Sequence, residues 1–426
     1  MKKRTLRERL RHRFQDVPLL AWLLGALVAV ILEQVIGTLL AQILGLRKIP
    51  VLFGAVIMLK KPLFIPSAVI YVFLIYVVPI SLVAKWISQL ANRLSAKLLK
   101  IGISTSVICH LLLFYLVLHI WSEISDYRIL TLKLTMVAVM LTLSLNIING
   151  YMGEFSCSHP GFMAVGAYAA STVTLVLFAD DRLFGDALLP AALGPYIFPL
   201  ALIGGGLAAA ISALVVAIPS FKTRGDYLAI ISLAFLFIVK SVIENLEWVG
   251  GPRGMSSQPD LANLPVVYAW MVACIWIINN FVRSTLGKAL NAVRDDEIAA
   301  EAMTVDTRRT KMVAFLFAAF WAGVAGGLFA HILRYVNPGT FGLQKLAEVL
   351  AMVYFGGLNS VYGSIVGAVS ISLLSEALRP LELFKWIIIP LMLILVMIFR
   401  PTGLIAFKEF DVRKLVTPKS KPEKEV

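Results

Sequence analysis

Apolar residues run in long blocks along this chain, and polar residues gather in the short gaps between them. A run of about 20 apolar residues crosses a bilayer as a helix. Blocks that can do so lie at 17–45, 63–84, 103–121, 129–149, 161–179, 190–218, 227–247, 264–283, 311–333, 346–372 and 384–400. A shorter apolar piece, Val51 to Leu59, is too short to cross and is expected to lie in the interface or re-enter. A transmembrane barrel would alternate apolar and polar positions in segments of about ten residues, and no such alternation occurs. The pattern predicts an all-α, polytopic transmembrane helix bundle.

The polar gaps orient the blocks. Basic residues favour the cytoplasmic side. The N-terminal flank is basic, the 122–128 gap is nearly neutral, and Lys85, Arg93, Lys97 and Lys100 crowd a gap two blocks after the N-terminus. The 180–189 gap is acidic, while Lys222 and Arg224 fall on the next inward side. Inside and outside then alternate consistently through the first eight blocks. Block 346–372 breaks the count, because one crossing there would put the basic tail outside. If Gly356, Gly357 and Gly363 divide it into two crossing pieces, the tail returns inside. Broken helices at membrane depth occur where they line a cavity or are buried in protein, and Gly interruptions point to substrate paths. Glu348, Gly356, Gly357, Asn359 and Gly363 are therefore the candidate substrate path.

Composition narrows the class further. The 426 residues are 59% hydrophobic and 15% charged, against about 25% charged in soluble domains. The net charge of +14 sits beside apolar blocks, where it meets anionic membrane lipid; no nucleic acid partner is expected. The three cysteines are widely spaced, and no metal-ligand pattern, catalytic triad signature or P-loop appears. The N-terminus MKKRTLRERLRHRF has the charge of a signal peptide. The apolar run from Val17 outlasts the usual 7–15 residues, so it is expected to remain as the first span of a multi-pass protein of the cytoplasmic membrane. Small residues recur at 204–210, 323–327 and 363–367 at helix-packing spacing.

One gap is unlike the rest. NAVRDDEIAAEAMTVDTRRTK, Asn291 to Lys311, holds Arg294, Arg308, Arg309 and Lys311 with Asp295, Asp296, Glu297, Glu301 and Asp306. Read as one helix, Asp295 to Met303 places Ile298, Ala299, Ala302 and Met303 on one face and Glu297 and Glu301 on another. A topology signal needs neither the acidic cluster nor the amphipathic face, whereas insertion into a groove on a partner needs both. Arg294, Asp295, Asp296, Glu297, Ala299, Ala300 and Glu301 are the candidate contact, and Ala300→Trp is expected to block it. Gly250, Gly251, Pro252 and Gly254, in the outer loop WVGGPRG, form a second candidate contact. Residues alone leave open a self-sufficient secondary transporter or channel, although paired mid-span carboxylates are scarce. A membrane enzyme has His159 beside Ser158 as its sole hint.

Several segments carry a resemblance. LGKALNAVRDDEIAAEAMTVDTRRTKMVAF, NIINGYMGEFSCSHPGFMAVGAYAAS, IPSFKTRGDYLAIISLAF, ENLEWVGGPRGM, AEVLAMVYFGGLNSVYGSIVGA and FRPTGL occur in that family's order within residues 128–406. They resemble the M-type permease subunits of branched-chain amino acid ABC importers. The resemblance implies that the charged gap is a cytoplasmic coupling helix for two ATP-binding cassette subunits. It also implies a second homologous permease and an extracytoplasmic substrate-binding protein, with Gly250 to Gly254 as its contact. The chain would bind no cofactor and catalyse nothing itself, since ATP and Mg would sit on partner subunits. Translocated solutes would be branched-chain amino acids or related small polar solutes. Residues 1–102 would be an N-terminal extension with a basic flank and two extra spans, 103–407 the core permease, and 408–426 a basic, disordered cytoplasmic tail. The sequence departs from the family at Gly153-Glu154, where Ser-Gly is usual, at Cys157-Ser158-His159, where Leu-Gly-His is usual, and at Thr304-Val305, where Gly-Val is usual. Gly153-Glu154 falls where a cavity could be lined, and Thr304 is expected only to alter the end of the coupling helix.

Overall fold

The computed structural model describes residues 14–46, 49–50, 64–179, 184–222, 227–400, 402–408 and 410–419. Val51 to Leu59, Arg224, and the outer parts of both termini lie outside the described residues. The chain is a helix bundle with a single two-residue strand pair among the described residues. Nine helices there are long and apolar enough to cross a membrane. In chain order they are α1 (Leu19–Ile43), α2 (Ile65–Trp86), α4 (Ile103–Glu123), α5 (Asp126–Met152), α6 (His159–Phe178), α7 (Ala191–Ser220), α8 (Tyr227–Asn245), α9 (Leu264–Arg283) and α12 (Thr307–Leu333). Between them lie α3 (Ser88–Ile101), α10 (Thr285–Asp295) and α11 (Glu297–Ala302). The chain continues as α13 (Leu343–Gly356), α14 (Val361–Ala377), α15 (Glu382–Phe399) and α16 (Val412–Val416).

Hydropathy located these elements because a lipid-facing helix must be apolar along its length. The basic gap expected as a loop is helical: Lys85 lies in the last turn of α2, and Arg93, Lys97 and Lys100 lie on α3, with Ala91 and Ser95 turned inward. Block 346–372 is two helices, α13 and α14, separated at 357–360.

Contacts divide the chain into two compact units: residues 1–129 with 377–380 and 411–426, and residues 130–376 with 381–410. In the first unit, α1 crosses α2 at glycines, since a Cβ on Gly25 would come within 2.9 Å of the Ile80 carbonyl. Its centre is ionic. The carboxylate of Glu33, fully buried, takes both Arg128 terminal nitrogens at 2.8 and 3.0 Å. Tyr76 and Tyr71 donate their hydroxyls to the same carboxylate, and Trp121 Nε1 donates to Tyr76 Oη at 3.1 Å. Arg128 also donates to the carbonyls of Trp121 and Pro50, both at 3.3 Å, and lies over the Trp121 ring. A π-helical turn in α2, Phe73–Val77, makes the arrangement possible. In a regular helix, residues five apart point about 140° from each other. The wider turn brings Tyr71 and Tyr76 to one face. Arg128, read from sequence as part of a neutral outer gap, is thus 2% exposed and paired. In the same unit, α16 in the tail forms a short helix, and Lys419 N–H donates to Asn92 Oδ1 at 3.0 Å.

In the second unit α6, α7 and α12 pack backbone to backbone. A Cβ on Gly166 would fall 2.2 Å from the Gly323 carbonyl oxygen, and one on Gly326 would fall 2.0 Å from the Met163 carbonyl oxygen. Gly205 faces Gly166, and Gly323 faces Ala209. The small residues at 204–210 and 323–327 are this seam. His331 closes it, with Nε2 2.8 Å from Thr174 Oγ1 and Nδ1 2.7 Å from the Gly327 carbonyl.

Removing one partner of a buried ion pair strands the other charge, at a cost of about 3–5 kcal/mol. Arg128→Leu is expected to lower the thermal unfolding midpoint in detergent accordingly. Glu33→Leu with Arg128→Leu is expected to recover much of the loss. An unchanged midpoint in the single variant would show that the pair contributes nothing to stability.

Candidate functional site

The charged gap folds differently from the single helix expected. Helix α10 begins at Ser284, whose hydroxyl accepts from Gly287 N–H, and runs through Asp295. Asp296 is extended (φ −158°, ψ 107°) and breaks the helix. Its carboxylate then caps α11 by accepting from Ala299 N–H at 3.0 Å. Asp295 therefore ends one helix and does not open the next.

The end of α11 shows what the departure at Thr304 involves. Thr304 has φ +67°. Its N–H donates to the Glu301 carbonyl at 3.0 Å, and Val305 N–H donates to the Ala300 carbonyl at 3.1 Å. These two bonds form a Schellman cap, whose left-handed position is ordinarily glycine. Glycine at 304 is thus what the geometry favours, and this chain holds a β-branched residue there. Asp306 then caps α12 by accepting from Arg309 N–H at 2.9 Å.

Two cations tie this loop to the bundle. Lys311 Nζ lies 2.8 Å from Glu154 Oε1 and 2.9 Å from Glu297 Oε2, joining α12, α11 and the segment after α5. Arg294 turns inward. It holds Asp295 Oδ1 at 2.6 and 2.9 Å, donates to the Gly150 carbonyl at 3.3 Å, and lies 5.6 Å from the Phe407 ring centroid. Its chain packs on Gly153, where a Cβ would fall 2.3 Å from Arg294 Cγ. Gly153-Glu154 therefore belongs to the loop's anchor. An open basin of ≈ 610 Å³ beside the loop is lined by Glu154, Lys222, Arg294, Asp296, Glu301 and Arg308.

The apolar face of α11 points outward. Ile298 is 74% exposed and Met303 is 77% exposed, and Ala299 and Ala302 are exposed beside them. Ala300 is 5% exposed. It packs within the chain, so Ala300→Trp would disturb the loop's own packing and could not report docking. Of the seven candidate contact residues, Ala300 and Arg294 face inward, while Asp295, Asp296, Glu297, Ala299 and Glu301 are exposed.

The candidate path residues separate. Gly356, Gly357 and Gly363 line no open space. A Cβ on Gly356 would fall 2.1 Å from the Gly363 carbonyl oxygen, and one on Gly367 would fall 2.1 Å from that of Met352, so α13 and α14 form an antiparallel hairpin. Gly357 (φ +128°) meets the backbone of Ile405 and Ala406. Leu404 and Ile405 N–H donate to the carbonyls of Phe355 and Gly356 at 3.1 and 2.9 Å. Ser360 Oγ donates to the Lys408 carbonyl at 3.1 Å. From the other side, buried Asn146 accepts from Asn359 N–H at 3.2 Å and donates to Ser364 Oγ at 2.6 Å. These glycines serve a clasp between chain segments. Glu348 does line a cavity, of ≈ 150 Å³, with Thr131, Thr135, Ser375, Glu376 and Lys385, and it pairs with Lys345 at 3.1 Å.

The Gly250–Gly254 loop is a 3₁₀ turn leading into a strand pair, Met255–Ser256 (β1) with Tyr335–Val336 (β2). Gly251 is buried, and Pro252 and Arg253 form its exposed tip. Tyr335 Oη donates to the Arg253 carbonyl at 2.8 Å. Ser158 Oγ pairs with Ser156 Oγ at 2.9 Å, and buried His159 packs edge-on to Phe162.

The family model for the branched-chain amino acid transport system permease component matches residues 127–399. The chain belongs to that permease family. It is 32% identical over 307 residues to the high-affinity branched-chain amino acid transport system permease protein LivM of Escherichia coli (strain K12), covering 64% of this permease and 68% of the relative. The probable branched-chain amino acid transport permease protein LivM of Methanocaldococcus jannaschii is 24% identical over 324 residues, 66% of this permease and 92% of that protein. No solved structure matches. The permease is accordingly a multi-pass protein of the cytoplasmic membrane and a component of a larger transport system. The pairing of Glu154 with Lys311 and the buried role of Asn146 escaped the sequence reading, since pairings across more than 150 residues leave no local pattern.

Thr304→Gly removes a left-handed penalty of about 1–2 kcal/mol and adds the entropy cost of glycine, about 0.5–1 kcal/mol. The permease is therefore expected to gain up to about 1.5 kcal/mol, read as a raised unfolding midpoint. A fall would mean that the threonine side chain itself holds the cap.

Proposed function

We propose that this chain is the M-type membrane subunit of an ATP-driven importer. It pairs with a second, homologous permease and docks two ATP-binding cassette subunits on the α10–α11 loop. ATP and Mg are bound and hydrolysed by those subunits, and this chain is non-catalytic. An extracytoplasmic binding protein delivers substrate toward the exposed tip Pro252–Arg253. The substrate class is branched-chain amino acids or related small polar solutes.

One observation carries the reading. An exposed apolar face, Ile298, Ala299, Ala302 and Met303, sits on a short helix whose other side is fastened to a membrane span through Glu297 and Lys311. A groove-filling face needs just such rigid backing if a push on it is to move the bundle. Lys311 passes displacement of α11 into α12, and Glu154 passes it toward α5. ATP shifts the population of outward- and inward-facing states only as far as the motor binds one of them better. The side chains here transmit force, and no chemistry is assigned to them.

Ile298→Asp with Met303→Asp places charge on the docking face without touching the chain's interior. In the reconstituted transporter, binding-protein-stimulated ATP hydrolysis and substrate uptake are both expected to fall at least tenfold, or about 1.4 kcal/mol, while the unfolding midpoint of the isolated permease stays put. Full stimulation in that variant would sink the docking assignment. Uptake by the permease reconstituted alone would sink the importer reading.

A further inference from the structure

Helix α3 presents two surfaces that the fold leaves uncovered. It joins the spans α2 and α4, and its 14 residues are too few for another crossing, which takes about 20. A helix so placed runs along the membrane surface, on the side that its cations assign to the cytoplasm. Ala91 and Ser95 are buried against the rest of the first unit. At about 100° per residue, exposed Leu90, Leu94 and Ile101 fall within about 40° of one another, and exposed Arg93, Lys97 and Lys100 within about 60°. The apolar set lies between the buried face and the basic set.

The charge is one-sided. No Asp or Glu occurs between Glu33 and Glu123. Lys85, Arg93, Lys97 and Lys100 form no ion pair among the described residues. The tail brings further cations to the same unit. Asn92 of α3 accepts from Lys419 N–H at 3.0 Å and donates to the Asp16 carbonyl at 2.9 Å. Helix α16 rests on α4 and α1 with Val416 buried, which leaves Arg413, Lys414 and Lys419 exposed. Asp411, the carboxylate nearest them in the chain, accepts from Arg413 N–H.

A topology signal needs cations somewhere in the gap. It does not need them sorted onto one side of a helix, next to an uncovered apolar row. A soluble acidic partner would meet the cations and leave Leu90, Leu94 and Ile101 in water. A neutral lipid would cover the apolar row and leave the cations unmatched. An anionic phospholipid meets both at one depth, with acyl chain against the leucines and phosphate against the ammonium and guanidinium groups. Trp86 marks that depth. It is 86% exposed where α2 passes into α3, and tryptophan rings collect at the membrane–water boundary.

We propose that α3, with the adjoining tail, is a binding site for anionic phospholipid in the cytoplasmic leaflet. The site is separate from the docking loop and stands independently of the importer reading. Asn92 holds the tail to α3, so lipid bound there fastens the tail and the N-terminal spans to the membrane surface together.

The test uses the full-length permease in phosphatidylcholine bilayers, titrated with brominated phosphatidylglycerol or brominated phosphatidylcholine. Bromine quenches tryptophan on contact, and subtracting the signal of Trp86→Phe isolates the quenching at α3. Half-maximal quenching is expected at a mole fraction at least tenfold lower for the anionic lipid. Arg93→Gln with Lys97→Gln should abolish that preference. Arg283→Gln with Lys288→Gln, the same loss of charge at exposed positions of α9 and α10, should leave it within twofold. Unfolding midpoints of both double variants check that each is folded. Equal quenching by the two lipids, a preference that survives Arg93→Gln with Lys97→Gln, or one that falls equally in both pairs would overturn the site. Absence of quenching by either lipid would also overturn it, and would set the patch against a soluble acidic partner instead.

Discussion

Within a bilayer, lipid tails are as apolar as leucine, so burying leucine gains nothing and helices are held by close contact between backbones. That constraint organises the second unit of this permease. Where α6, α7 and α12 meet, Gly166, Gly205, Gly323 and Gly326 stand with no room for even a methyl group. A single added Cβ at Gly326 would sit 2.0 Å from a carbonyl oxygen. The three helices meet there with no side-chain layer between their backbones. This close contact gives meaning to the polar ties at their ends, because a force delivered to Lys311 at the start of α12 reaches the seam without being absorbed by side-chain rearrangement.

The charged gap can be understood from the same viewpoint. Its acidic and basic residues divide into those that fix the loop and those that remain outside. Asp296 and Asp306 are spent on helix starts, Arg294 on Asp295 and the carbonyl of Gly150, and Glu297 with Glu154 on Lys311. A short helix of six residues has no stability of its own. Caps at both ends and one bridging lysine supply it, and leave Ile298 and Met303 facing out. Glu154, a departure from the family pattern, is part of this fastening, so its interest is mechanical.

Much of the bundle was legible because hydropathy is a local property. Every crossing segment announces itself by length and composition, and the division of 346–372 was visible in its glycines. A short helix in the charged gap was legible in kind but not in register. Periodicity joined Asp295 to Met303, whereas the capping geometry of Asp296 breaks the chain one residue later. Ala300 looked like its neighbour Ala299, and only the fold distinguishes the buried one from the exposed one. Arg128 read as a solvated loop charge because its partner, Glu33, lies 95 residues away on another helix. The path glycines were misread for a physical reason: a cavity wall and a backbone crossing both require glycine, and composition cannot separate them.

The clasp over the α13–α14 hairpin bears on how the protein is made. Its closing segment is residues 404–408, which bond to Phe355, Gly356, Leu358 and Ser360. Those residues leave the ribosome after every membrane helix of the core has been synthesised. Helices can insert in order as they emerge, yet the hairpin keeps its carbonyls at 355, 356 and 358 unbonded by this segment until the last stretch of core chain arrives. Closure of this turn therefore depends on residues made after the helices it joins. A chain cut just short of Thr402 would hold both helices of the hairpin and lack the bonds that close the turn between them.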